Sequence, residues 1–162
     1  MTMTISPETA LSSARRARAR RELGGLDYIR AVRLAADAGV AQRDIARALG
    51  VAQPAISRLL TQAAARGVQS IPEGFSGASP YEVAERYAAG DIDRETVIRE
   101  LSAWPYVQNE GAAAAQAEWD STPYPDTPGS FAEVGQAFDD GLIDAEAYDL
   151  ILDASEDVPT AS

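Results

Sequence analysis

Short apolar stripes, separated by glycine, proline and helix-capping residues, run along the chain and predict helices. Ser6-Pro7-Glu8-Thr9 starts the first: a capping hydroxyl, proline at the first helical position, and an acid in the first turn. This helix carries Arg15, Arg16, Arg18, Arg20 and Arg21, and Gly24-Gly25 is expected to end it. Asp27 then caps a second helix with an apolar face of Ile29, Val32, Leu34, Ala35 and Ala36, ending near Gly39. Two shorter helices follow at about 42–49 and 53–66, separated by Gly50-Val51. From Arg66-Gly67 to Pro80 the chain is rich in Gly, Ser and Pro, the composition of a domain boundary.

The second half repeats itself. At an offset of 51 residues, Ser79–Leu101 aligns with Ser130–Leu152, and eight of the 23 positions are identical, among them Glu82/Glu133, Val83/Val134, Ile92/Ile143, Asp93/Asp144 and Glu95/Glu146. Each copy reads helix, Gly-x-Ile-Asp, helix. Gly90 or Gly141 closes the first helix in a left-handed conformation. The isoleucine turns into the core, and Asp93 or Asp144 caps the second helix. Each copy is therefore an αα-hairpin, too short to bury a core alone, so the copies must pack on each other, on the first domain or on a partner. Between them, residues 102–129 form a long connection with Trp104-Pro105-Tyr106, an alanine run, Trp119 and three prolines, in which Ala112–Trp119 can form a short helix. The expected fold is all-α. A basic N-terminal bundle spans 1–66, a linker 67–79, an acidic module of two αα-hairpins (79–101 and 130–152) joined by a long loop spans 80–154, and a tail covers 155–162.

Composition narrows the chemistry. The 162 residues contain no Cys, no His and no Lys. Thiolate chemistry, histidine bases, Schiff bases and P-loops are thereby excluded, so no enzyme, no cofactor and no metal site is expected. Asp91-x-Asp93-x-Glu95 lacks the glycine and distant glutamate of a calcium loop, and Asp139-Asp140 reads as capping and solvation. No apolar run approaches the roughly 20 residues of a membrane helix and no signal-peptide pattern opens the chain, so a cytoplasmic protein is expected. The net charge of −11 averages two unlike halves: residues 1–70 carry +6 and residues 71–162 carry −17. Such asymmetry points to a nucleic-acid-binding end joined to an acidic interaction end.

Gln42 through Thr61 fits the twenty-residue helix-turn-helix template, with Ala46 at the helix crossing and Gly50 at the turn. Over Tyr28–Ala65 the chain resembles the phage-repressor and antitoxin type of DNA-binding domain. The resemblance implies a small core of Ile45, Leu49, Val51, Ile56 and Leu59, and a recognition helix over 53–62 that enters the major groove. It implies base or phosphate contacts from Gln53, Ser57, Arg58, Thr61 and Gln62: glutamine pairs with adenine, arginine with guanine or phosphate, and the hydroxyls with either. Pro54 fixes the first turn and contributes no donor. Gln42 and Arg43, opening the preceding helix, are placed for phosphate oxygens. The arginines at 15, 16, 18, 20 and 21 are a phosphate-contacting arm, an RNA-binding or minor-groove segment, or a solvated helix face.

The Gly-x-Ile-Asp hairpins resemble the bacterial short C-terminal domain type, which implies oligomerisation or docking. Trp104, Tyr106, Trp119 and Tyr124 are either anchors for a protein partner or packed back onto the hairpins. The expected function is a sequence-specific transcription regulator binding double-stranded DNA as a homodimer. Its sharpest form is an antitoxin-like autorepressor whose acidic half binds a toxin or other regulator. The alternative is a structural or adaptor protein, for example of a phage, that assembles through the hairpins.

Overall fold

The computed structural model describes residues 5–107 and 128–156. Among these residues all regular structure is helical: α1 (Pro7–Asp37), α2 (Gln42–Leu49), α3 (Gln53–Ala65), α4 (Pro80–Ala89), α5 (Arg94–Ser102), α6 (Ala132–Asp139) and α7 (Ala145–Glu156). The chain divides into two compact units, one of residues 20–70 and one of residues 1–19 with 71–162. The expected helix over Ala112–Trp119 falls outside the described residues.

The break expected at Gly24-Gly25 is absent, and α1 runs through both glycines. Neither has a positive φ, and a Cβ at either would meet nothing within 4 Å. Each glycine costs a helix interior about 1 kcal/mol, too little to stop one flanked by Ala, Arg, Glu and Leu. Asp27 accordingly caps nothing; it lies in mid-helix and pairs with Arg30 at 3.8 Å.

In the unit of residues 20–70 the core is Val32, Ile45, Ala46 and Ile56, with Ala35, Ala36, Leu59 and Leu60 packed against it. Gly50 adopts φ 69, and beyond it the Val51 N–H bonds back to the Ala46 carbonyl at 3.0 Å. This closes α2 and redirects the chain into α3. Leu49 and Val51 do not join the core as expected; they stay 45% and 38% exposed. A core of this size cannot reach every apolar side chain, and Leu49 instead lines an apolar groove of about 230 Å³ with Tyr28, Ala35, Val40 and Ala48. Beyond α3, the Arg30 guanidinium donates to the Gln69 carbonyl at 2.9 Å and Arg33 donates to that of Val68. Two of the basic half's arginines therefore hold down their own chain.

In the other unit the two hairpins share one core of Val83, Ala84, Val97, Leu101, Val134, Ala137, Ile143, Ala147 and Ile151. Helix α4 packs on α6 and α5 on α7, like on like. The repeated residues do the same work twice. Gly90 and Gly141 take φ 85 and 74. Asp93 accepts the Thr96 N–H and Asp144 the Ala147 N–H, each at 2.8 Å. Glu82 accepts the Ala78 N–H at 2.9 Å and Glu133 the Gly129 N–H at 3.0 Å.

The copies differ where they meet. The Tyr81 hydroxyl donates to Asp140 at 2.7 Å, while Arg94 pairs with Asp144 and, at 2.9 Å, with Glu146. The positions aligned with Tyr81 and Arg94 are Ala132 and Ala145, so each of these bridges occurs once. Burial and the Asp140 carboxylate push the Tyr81 hydroxyl well above its ordinary pKa. Hydrogen bonds from Arg94 hold Asp144 below the usual carboxylate range.

Residues 71–79, within the stretch read as a linker, are folded onto the first hairpin. The buried Glu100 carboxylate accepts both the Ser76 N–H (2.7 Å) and the Ser76 hydroxyl (2.8 Å), and Phe75 meets Trp104 edge-on at 4.6 Å. A Cβ on Gly77 would sit 2.8 Å from the Val83 nitrogen, so only glycine lets the chain pass this close.

Candidate nucleic-acid interface

The face that could meet nucleic acid is built from the first turns of α2 and α3. Both helices begin at an alanine, Ala41 and Ala52, with no side-chain cap. In the other unit Ser79, Asp93 and Asp144 cap their helices. Neither N-cap residue therefore supplies a side-chain acceptor, although the Asp44 and Ala55 N–H groups turn back to the Ala41 and Ala52 carbonyls, at 2.8 and 2.9 Å, and Pro54 has no N–H.

Helix α3 turns Ile56 and Ala63 inward, at 1% and 0% exposure. Its opposite side presents Gln53, Pro54, Arg58, Thr61 and Gln62, all exposed, with Ser57 half-buried. Arg58 makes no ion pair among the described residues, so its guanidinium is available. Arg43 stands 79% exposed at the start of α2, with Asp44 3.8 Å away.

Sequence reading assigned Gln42 and Gln53 separate tasks; the structure joins them. The Gln53 amide donates to the Gln42 side-chain oxygen at 3.0 Å, across the turn between α2 and α3. That bond uses one of two Gln53 N–H groups. A second N–H and the carbonyl oxygen remain, one donor and one acceptor, the pair of functions that adenine N7 and N6 require. Gln42 keeps its own NH₂ for a phosphate oxygen. The spacing of eleven residues across a helix-turn-helix was the signal in the sequence for this pairing.

Thr61 is exposed on the same face. Its hydroxyl donates to the Ser57 carbonyl one turn back, at 3.0 Å, so that donor is already engaged.

The arginine arm lies wholly within α1. Arg15, Arg16 and Arg18 belong to the stretch counted with the acidic unit, Arg20 and Arg21 to the stretch counted with the other. All five are exposed. Arg15 lies against the α6–α7 turn, 3.7 Å from where a Cβ on Gly141 would stand, and Arg21 pairs with Glu22 at 2.9 Å.

Of the four aromatics considered as partner anchors, Trp104 and Tyr106 are half-buried against the hairpin core. Tyr106 meets the Phe131 ring at 5.1 Å and donates its hydroxyl to the Leu101 carbonyl at 2.6 Å. Burial, with the Glu133 charge adding to it, raises its pKa well above the ordinary value. Trp119 and Tyr124 lie outside the described residues. Among the described residues no group of His, Cys, Asp and Glu is arranged to hold a metal, and no helix is long and apolar enough to cross a membrane.

The chain matches no protein-family model, no curated protein and no solved structure.

Proposed function

We propose that the chain is a sequence-specific DNA-binding transcription regulator that reads the major groove with α3. The observation that carries this reading is the Gln42–Gln53 bond, on an exposed face that also holds Arg58 and two helix starts without side-chain caps. A solvent-exposed amide pair contributes little to stability. It costs side-chain entropy to hold, whereas a pre-oriented glutamine at the start of a groove-entering helix is what base recognition needs. Phosphates are met by Gln42, Arg43 and the two helix starts, and adenine by Gln53. Guanine or phosphate falls to Arg58. One helix reads only a few base pairs, so the protein acts as a homodimer on two half-sites about one helical turn apart. The acidic unit, whose hairpins already bury each other's apolar faces, is left to meet a protein partner in the antitoxin-like arrangement.

The test is a titration of the full chain against DNA from upstream of its own gene and a scrambled control, at two salt concentrations. Expected is a preference for the native DNA that Gln53→Ala reduces by roughly 10- to 100-fold, the worth of one bidentate base contact. Equal, salt-sensitive affinity for both DNAs would show charge without readout and refute sequence specificity. No affinity for either would refute DNA binding and leave the assembly reading.

A further inference from the structure

Over residues 53–62, the stretch read as entering the groove, the outward face of α3 holds one group that can neither donate nor accept a hydrogen bond from its side chain. With about 100° per residue, and Gln53 taken as 0°, the buried Ile56 and Ala63 lie at about 300° and 280°. The direction facing away from the core is therefore about 110°, and within residues 53–62 Pro54, at about 100°, sits nearest to it; the exposed Ala65, at about 120°, lies three turns further along the helix. Thr61 and Arg58 flank it at about 80° and 140°. Pro54 is exposed, occupies the first turn of α3, and directly follows the Gln53 that Gln42 holds in place. Any groove that receives Gln53 receives the Pro54 ring as well.

A proline in a first helical turn has an ordinary structural role, because its fixed φ favours the helix and the missing N–H would have had no partner. Its placement at the centre of the reading face adds a second one. In the major groove the base-pair edges present hydrogen-bonding groups, and the one sizeable apolar group among them is the 5-methyl of thymine. A polar edge facing the pyrrolidine ring would lose its water and gain no hydrogen bond in exchange. A thymine methyl facing it buries apolar surface on both sides.

Resting on the reading of α3 as a recognition helix, we infer that Pro54 is a specificity-determining residue that selects a thymine, through its 5-methyl, next to the adenine read by Gln53. The core of each half-site is thus two neighbouring A·T pairs, one recognised through its adenine edge and the other through its methyl. Thr61 strengthens this bias, since its hydroxyl is engaged with Ser57 and does not compete as a donor to bases.

The experiment uses the full chain. Its preferred site is first selected from a random duplex library, and each thymine of that site is then replaced in turn by deoxyuridine, which removes only the 5-methyl. At one thymine, adjacent to the adenine whose preference Gln53→Ala abolishes, the substitution is expected to weaken binding roughly three- to tenfold, as for one buried methyl. Pro54→Ser, with a residue well accepted in a first turn, is expected to bind thymine and deoxyuridine equally well at that position. A purely structural proline would leave the deoxyuridine penalty unchanged in Pro54→Ser, and that result overturns the inference. Tolerance of deoxyuridine at every thymine overturns it as well, without reference to any variant's folding, while the reading of α3 stands. If no sequence is selected at all, the reading of α3 fails and the inference with it.

Discussion

Replacing Ser79 and Ser130 by alanine, one at a time, is expected to affect the stability of the acidic unit unequally: the first lowers it and the second does not. The two serines are identical positions of the repeat and precede equivalent helices. The Ser79 hydroxyl accepts the Glu82 N–H at 3.1 Å and caps α4. The Ser130 hydroxyl is buried, at 2% residue exposure, and finds no partner among the described residues. In its copy the chain continues through Phe131 in a helical conformation, and the Glu133 N–H turns to the Ser130 carbonyl at 3.2 Å instead. Losing a capping serine costs about 1 kcal/mol, within a range of about 0.5–2. Removing a buried hydroxyl without a partner relieves a desolvation penalty of about 1–3 kcal/mol, offset by the small void left behind, for a net gain of up to about 1 kcal/mol. Both tryptophans of the chain, Trp104 and Trp119, lie in residues 71–162, so tryptophan emission in a urea titration reports on this unit. With a denaturant slope of about 2 kcal/mol/M, Ser79→Ala lowers the midpoint by about 0.5 M, while Ser130→Ala leaves it unchanged or raises it by up to about 0.5 M. Equal losses in the two variants would refute the argument, because they would mean that Ser130 has a partner and that the copies are capped alike.

Three further outcomes are expected. Glu100→Ala removes both acceptors that hold Ser76 and leaves a partly buried N–H unpaired, so the same titration should show a loss of about 2–4 kcal/mol, with Glu100→Gln losing less. Arg94 holds Asp144 below its ordinary pKa, so the stability this pair contributes is present above the unfolded value of about 3.9 and is lost as pH falls through the folded value. Acid titrations followed by tryptophan emission should accordingly show a shallower loss of stability below about pH 4 in Arg94→Ala than in the parent chain. Gly24→Ala and Gly25→Ala, at helical positions with open space around them, should each stabilise α1 by about 0.4–1 kcal/mol, seen as a higher helical signal and melting temperature by circular dichroism.

Much of the local structure was legible in the residues themselves, because it depends on interactions within a few positions of chain. The left-handed closures at Gly50, Gly90 and Gly141 and the caps at Asp93 and Asp144 all follow from nearest-neighbour chemistry. The 51-residue repeat foretold two hairpins, each needing cover from the other, from the first domain or from a partner, since neither copy has enough apolar surface to stand alone. The same local rules failed at Gly24-Gly25, where a cost of about 1 kcal/mol per glycine was read as a stop although the helix around it is strong enough to absorb it.

What local chemistry cannot decide is which groups from distant parts of the chain come to share an environment. Ser79 and Ser130 occupy equivalent positions of the repeat, yet in the folded chain the Ser79 hydroxyl caps α4 while that of Ser130 is buried without a partner among the described residues. Leu49 and Val51 are as apolar as Ile45 and Ile56, yet a four-residue core has room for one pair and not the other. Gln42 and Gln53 lie on different helices, and the αL turn at Gly50 brings their amides to 3.0 Å. The hairpin helices and the ends that glycine and aspartate set for them were thus determined by sequence through short-range backbone and capping energetics. The tertiary structure decided which equivalent side chains are satisfied, buried or presented together, because desolvation and hydrogen bonding depend on neighbours that only the folded chain supplies.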